Sequence, residues 1–191
     1  MEILKLCYEG SEGRADRGEI RDGERIISCT YPVPYDMRLK SDEERKELES
    51  QITSGSYRVE ELLDGTLLRL SYLRDKWVLS TNGKIDAREA YWMNGCSFYD
   101  QFWSAVKKGD IDMSKLDKNN VYLFILCHPL NVIVVNHKQP KLYHVATYCM
   151  IPKPHELCPD IYEGINIEYP LIYNMTLDDV KKKILENKQK P

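Results

Sequence analysis

No hydrophobic run in the chain approaches the roughly 20 residues that a bilayer span requires, so no membrane partner is expected. The first residues, MEILKLCYEG, lack the basic start and long apolar core of a secretory leader. Charge of one sign is also lacking. The formal net charge is −3, which argues against a generally basic nucleic-acid binder and leaves room only for a local basic groove. Six cysteines stand at 7, 29, 96, 127, 149 and 158, with no CxxC pair among them. A chain of 191 residues does not depend on disulfide staples, and several of these cysteines sit in apolar runs. They read as reduced and mostly buried, in a cytosol-like, intracellular compartment. There is no internal repeat and no low-complexity segment.

What is present is an ordinary globular composition, 42% hydrophobic, with a length suited to one domain over residues 1–191. Asp22-Gly23, with apolar residues on both sides, signals a hairpin. Tyr31-Pro32-Val33-Pro34-Tyr35 is a stiff extended exit that cannot be helical. Ser41 with Glu44 forms a capping box before a charged, exposed helix. Leu68, Leu70 and Tyr72 alternate with Arg69 and Ser71, and Trp77-Val78-Leu79 returns after a turn at Arg74-Asp75-Lys76. DAREAYWMNG, from Asp86, reads as a helix that breaks near Asn94-Gly95. SFYDQFWSAVKKG reads as a better one, with Phe98, Phe102, Ala105 and Val106 on one face and Gly109 as its stop. NNVYLFILCHPL and NVIVVNH are the most hydrophobic stretches and read as two strands at the centre of a sheet. KLYHVATYCMI reads as a further strand, PKPHELCPDIYEG as a loop, and Thr176 with Asp179 as the cap of a final basic helix. The expected class is α+β, mostly antiparallel sheets with flanking helices.

Four segments in a fixed order carry the chemistry. ELLDGT places Glu61, Asp64, Gly65 and Thr66 around Leu62. LSTNGKIDAREA follows, with Gly83-Lys84 at a strand end. YLFILCHPLNVIVVNH contains Phe124, Pro129, Asn131, Ile133 and Val134. Upstream, Arg17-Gly18-Glu19-Ile20 leads to the Pro-aromatic exit. This order resembles the nucleotidyltransferase (adenylylation) domain of ATP-dependent RNA ligases, the phage type and their relatives in large DNA viruses. The resemblance covers most of residues 14–180. It implies that Leu62 stands where the family has its reactive lysine, Ile125 where it has a glutamate, and Val132 where it has an arginine. The family's late Glu-Gly and lysine-strand motifs have no clear counterpart. Glu163-Gly164 mimics the first but comes before the final helix.

The ligase reaction begins with attack of a lysine amine on the α-phosphate of ATP. Leu62 has no lone pair, and Ile125 can neither ligate Mg²⁺ nor accept a hydrogen bond. The resemblance therefore implies a degenerate, truncated relative with no catalytic residue, serving as a structural or binding subunit. A protein partner or a viral assembly, a virion included, is the implied setting, with nucleic acid as a further partner. Neither a metal nor a cofactor is expected; ATP and Mg²⁺ would bind only if a residual site remains, formed by Glu61, Asp64, Gly65, Lys84 and Arg17. The alternatives are a nucleotide or RNA-end binder without turnover, and an enzyme that uses Lys76, Lys84 or a second chain.

Other groups carry less. His155 and Cys158 have a zinc-like spacing, but His144 and Cys149, five apart in a strand, should face opposite ways. Tyr91, Trp92, Phe98, Tyr99, Phe102 and Trp103 read as helix core ahead of a base-stacking platform. The basic tail KKKILENKQK reads as a solvated helix face.

Overall fold

Among the described residues, ten strands and three α-helices follow one another along the chain. They are β1 (Lys5–Leu6), β2 (Ile20–Asp22), β3 (Arg25–Ser28), α1 (Asp42–Ser54), β4 (Val59–Glu60), β5 (Thr66–Leu73), β6 (Lys76–Ser80), α2 (Phe98–Lys108), β7 (Asn120–Cys127), β8 (Lys141–Cys149), β9 (His155–Leu157), β10 (Ile172–Tyr173) and α3 (Leu177–Lys188). The computed structural model describes residues 5–6, 18–31, 40–54, 57–92, 95–150, 154–157 and 165–188. Arg17, the Pro32–Tyr35 exit, Cys158 and Glu163-Gly164 lie outside the described residues. The fold is α+β, and among the described residues every pairing between these strands is antiparallel. Contacts divide the chain into two compact units, Met1–Val33 with Leu63–Tyr169, and Pro34–Leu62 with Pro170–Pro191.

The larger unit is built on a five-stranded sheet in the order β6-β5-β7-β8-β9, with a three-stranded sheet β1-β2-β3. The β5–β6 hairpin turns on Arg74 and Asp75, both at positive φ, a geometry that follows the right-handed strand twist. One face of the five-stranded sheet carries Leu68, Leu70, Tyr122, Phe124 and Leu126. Against it packs α2, through Phe98, Phe102, Ala105 and Val106. Ser97 caps this helix by accepting the Asp100 N–H at 3.1 Å, and Gly109 ends it. The periodicity of the sequence is therefore the packing of the helix.

The other face departs from expectation. Arg69 and Ser71 alternate with leucines, as exposed polar residues do, yet both are 1% exposed. Ser71 Oγ bonds Ser28 Oγ, at the end of β3, at 2.7 Å. Tyr31 O–H donates to the Val145 carbonyl at 2.7 Å. Val121, Leu123 and Ala146 fill the rest of this layer, with Tyr148 and Met150 at its edge.

Four further expectations are corrected. NVIVVNH is not a strand: β7 stops at Cys127 and residues 128–140 form a loop. DAREAYWMNG keeps only one 3₁₀ turn, Ala87–Glu89, and leaves Tyr91 and Trp92 exposed. The loop expected around His155 contains β9, paired with β8 through Thr147, Tyr148 and Cys149. Finally, the β7–β8 register shifts so that Leu123 faces Ala146 while Phe124 faces His144. The extra residue reverses the side-chain parity beyond it. His144 and Cys149 thus lie opposite Phe124 and Asn120, which share a face, so they too share a face.

In the smaller unit, α1 carries the reciprocal cap read from the sequence. Ser41 N–H donates to Glu44 Oε2 at 2.8 Å, and Glu44 N–H to Ser41 Oγ at 3.2 Å. The same box opens α3, with Asp179 N–H donating to Thr176 Oγ1 at 3.2 Å. Lys181 of α3 meets Glu49 of α1 at 2.9 Å. β4 and β10 pair as a two-stranded ribbon. No helix among the described residues is long and apolar enough to cross a membrane.

Candidate functional site

The ELLDGT segment enters β5 at Thr66, and its residues are used in three different ways. Gly65 sits where backbone meets backbone. A Cβ there would stand 2.6 Å from the Leu126 carbonyl oxygen and 2.7 Å from Ile125 Cγ2. Its φ is not in the left-handed region, so Asp64-Gly65 is not a positive-φ turn. Glycine is required because β7 approaches too closely for a side chain.

Asp64 holds a loop. Its Oδ2 accepts the Val135 N–H at 2.6 Å and the Val134 N–H at 2.9 Å. These donors, Val135 first, lower the carboxyl pKa from its ordinary value. The Asp64 carbonyl accepts His137 Nε2–H at 2.7 Å and the Cys127 thiol at 3.4 Å. Beside it, the Asn131 side-chain N–H donates to Thr66 Oγ1 at 2.5 Å. Asp64, Thr66 and Asn131 together latch the loop after β7 onto the start of β5. This explains why NVIVV is not a strand. Pro129 lacks a ladder donor, the Leu130 and Asn131 N–H groups turn back to His128, and those of Val134 and Val135 are taken by a carboxylate. The apolar side chains then point away, with Val134 83% exposed.

Leu62 is 97% exposed. Ile125 is half-buried and packs on Gly65. Glu61 belongs to the smaller unit, where its N–H donates to the Leu171 carbonyl at 2.8 Å and its Oε2 accepts the Leu171 N–H at 3.4 Å. Lys84 belongs to the larger unit and follows β6 in a turn organised by Thr81, whose Oγ1 accepts the Lys84 N–H at 2.9 Å. Because β5 and β6 are antiparallel, Lys84 and Asp64 are at the same end of the hairpin. Among the described residues no hydrogen bond or ion pair joins them. Lys76 starts β6 opposite Leu73 and is at the other end.

Sequence reasoning missed Arg69. Its guanidinium donates to Ser80 Oγ at 3.0 Å, to the Thr81 carbonyl at 3.1 Å and to the Gly18 carbonyl. Among the described residues it has no carboxylate partner. Burial lowers its pKa to about 10 and raises that of nearby Cys29 to about 12. At neutral pH the arginine is charged and the thiol is not. Gly18, at φ 77°, approaches so closely that a Cβ would meet Thr30 Cγ2 at 2.7 Å. No local signal marks this, because one Arg in an alternating strand looks like a surface residue.

His128 lies 3.1 Å from Ser104 Oγ, which suggests a nucleophile and its base. The remaining bonds exclude that role. His128 Nδ1 accepts the Leu130 N–H at 3.1 Å, so the ring proton is on Nε2 and is donated to Ser104. Ser104 O–H in turn donates to the Gln101 carbonyl at 2.7 Å. Among the described residues no three His, Cys, Asp or Glu side chains come together to hold a metal.

No family model and no curated protein matches the chain. Among solved structures it is similar to a protein of Aquifex aeolicus described as an ATP-dependent DNA ligase. The identity is 17%, over 91% of this chain and 46% of that one, at a TM-score of 0.49. The chain thus spans less than half the length of that protein.

Proposed function

We propose that this chain is a ligase-like nucleotidyltransferase relative that forms no lysine adenylate and serves as a binding or structural subunit. The observation that carries this reading is the commitment of Asp64. Its carboxylate is occupied by the Val134 and Val135 N–H groups, in a motif whose nucleophile position is leucine. Gly65, Thr66 and Asn131 are likewise used to join β5, β7 and the loop after it. The motif residues that remain act as a latch, and those needed for bond making are aliphatic. A partner protein is the proposed ligand of such a subunit. A viral nucleic-acid complex is its proposed setting, and that part rests on the sequence resemblance alone.

A second reading, nucleotide binding without turnover, is favoured by one observation: Lys84 lies at the hairpin end that carries Asp64 and is exposed. An enzyme using Lys76 is disfavoured, since it pairs with Leu73, about 30 Å from Asp64 at the usual rise per strand residue. Incubation with ATP, Mg²⁺ and Mn²⁺ followed by intact mass measurement tests the main reading. The expected result is an unmodified mass. An adduct of one AMP on a lysine would overturn it.

A further inference from the structure

An open cleft of about 330 Å³ lies at the end of the sheet remote from Asp64, beside Tyr72 of β5 and Asn120 of β7. That size is in the range of about 300–1,000 Å³ in which small ligands are held. Arg25 and Lys118 line it, and among the described residues no carboxylate does. The acid opposite Arg25 in the β2–β3 register, Asp22, is engaged by Arg74 at 3.6 Å. Among the described residues neither Arg25 nor Lys118 has a carboxylate partner. The Lys118 ammonium stands over the Tyr72 ring, 4.6 Å from its centroid. Asn119 and Asn120 add polar lining. Ile27 and Met150 supply apolar wall.

Two cations without counter-charges attract an anion. An aromatic ring with apolar neighbours suits a flat base. We infer that this cleft binds a nucleoside phosphate group, with Arg25 and Lys118 on the phosphate and Tyr72 beside the base. The group could belong to a free nucleotide or to a single strand, since both present the same chemistry. This site does not depend on the reading of Asp64, which lies about 25 Å away along β5.

Calorimetric titration of the full chain with inorganic phosphate, AMP and oligothymidylate tests the inference, on wild type, Arg25→Ala and Lys118→Ala. Both residues are exposed, so both variants should keep the wild-type melting temperature. AMP should bind more tightly than phosphate, and each substitution should weaken it about tenfold. Tighter binding of oligothymidylate, weakening as salt rises, would identify a strand as the source. Tighter binding of AMP would identify a free nucleotide. The inference is overturned if none of the three binds, if phosphate binds as well as AMP, or if both variants bind like wild type.

Discussion

Replacing Arg69 by alanine should lower the unfolding free energy by roughly 3–5 kcal/mol, the range for breaking a buried charged network or deleting a large core side chain. Two losses combine. The carbonyls of Gly18 and Thr81 and the Ser80 hydroxyl lose a buried donor. A long side chain that is 1% exposed leaves a void. Arg69→Met separates the two, since it restores much of the volume and none of the donors. It should recover only part of the loss. Denaturant melts of the three proteins measure this directly. A cost under about 1 kcal/mol for Arg69→Ala, the size of an ordinary surface change, would mean that the guanidinium is solvated. The account would then lose its explanation of how Gly18 is held to β5.

Gly65→Ala should cost about 3 kcal/mol, at the upper end for inserting one carbon into a packed site. The added methyl would meet a backbone oxygen at 2.6 Å, and a carbonyl within a strand ladder cannot rotate away. The φ angle permits alanine, so the penalty is steric contact and not backbone strain. The double variant Gly65→Ala/Ile125→Ala gives an internal check. Removing Ile125 Cγ2 relieves the contact at 2.7 Å but leaves the Leu126 carbonyl in place. The two changes should therefore couple, with the pair costing less than the sum. A neutral Gly65→Ala would show that β5 and β7 are further apart at this point.

Much of this architecture was legible in the sequence. α2 was readable because its apolar spacing, Ser97 cap and Gly109 stop agree. The caps of α1 and α3 formed as read, since a capping box is a local device needing only three residues of separation. The failures have a common physical cause in long-range contacts. Valine and isoleucine at 132–135 have strand propensity, but the backbone donors of Val134 and Val135 are claimed by a residue some 70 positions earlier in the chain. Arg69 and Ser71 look solvent-facing until the end of β3 supplies Ser28. The parity of His144 and Cys149 depends on one extra residue in β8, which no local pattern announces. In the candidate site, Asp64 and Gly65 were correctly singled out, but their roles were not visible. A glycine serving a close approach and a glycine serving a turn are the same letter.

The central claim is that Asp64 is a structural clamp. Amide hydrogen exchange at Val134 and Val135, in wild type and Asp64→Ala, tests it most directly. Both amides belong to exposed residues, so protection must come from the carboxylate. Because the folded pKa is lowered, the clamp holds above the ordinary carboxyl range and fails as pH falls through the lowered value. The account predicts slow exchange at neutral pH in wild type and exchange about tenfold faster or more in Asp64→Ala, from loss of a charge-assisted bond. Equal exchange in the two proteins would contradict it, and would leave the Asp64 carboxylate available for a ligand.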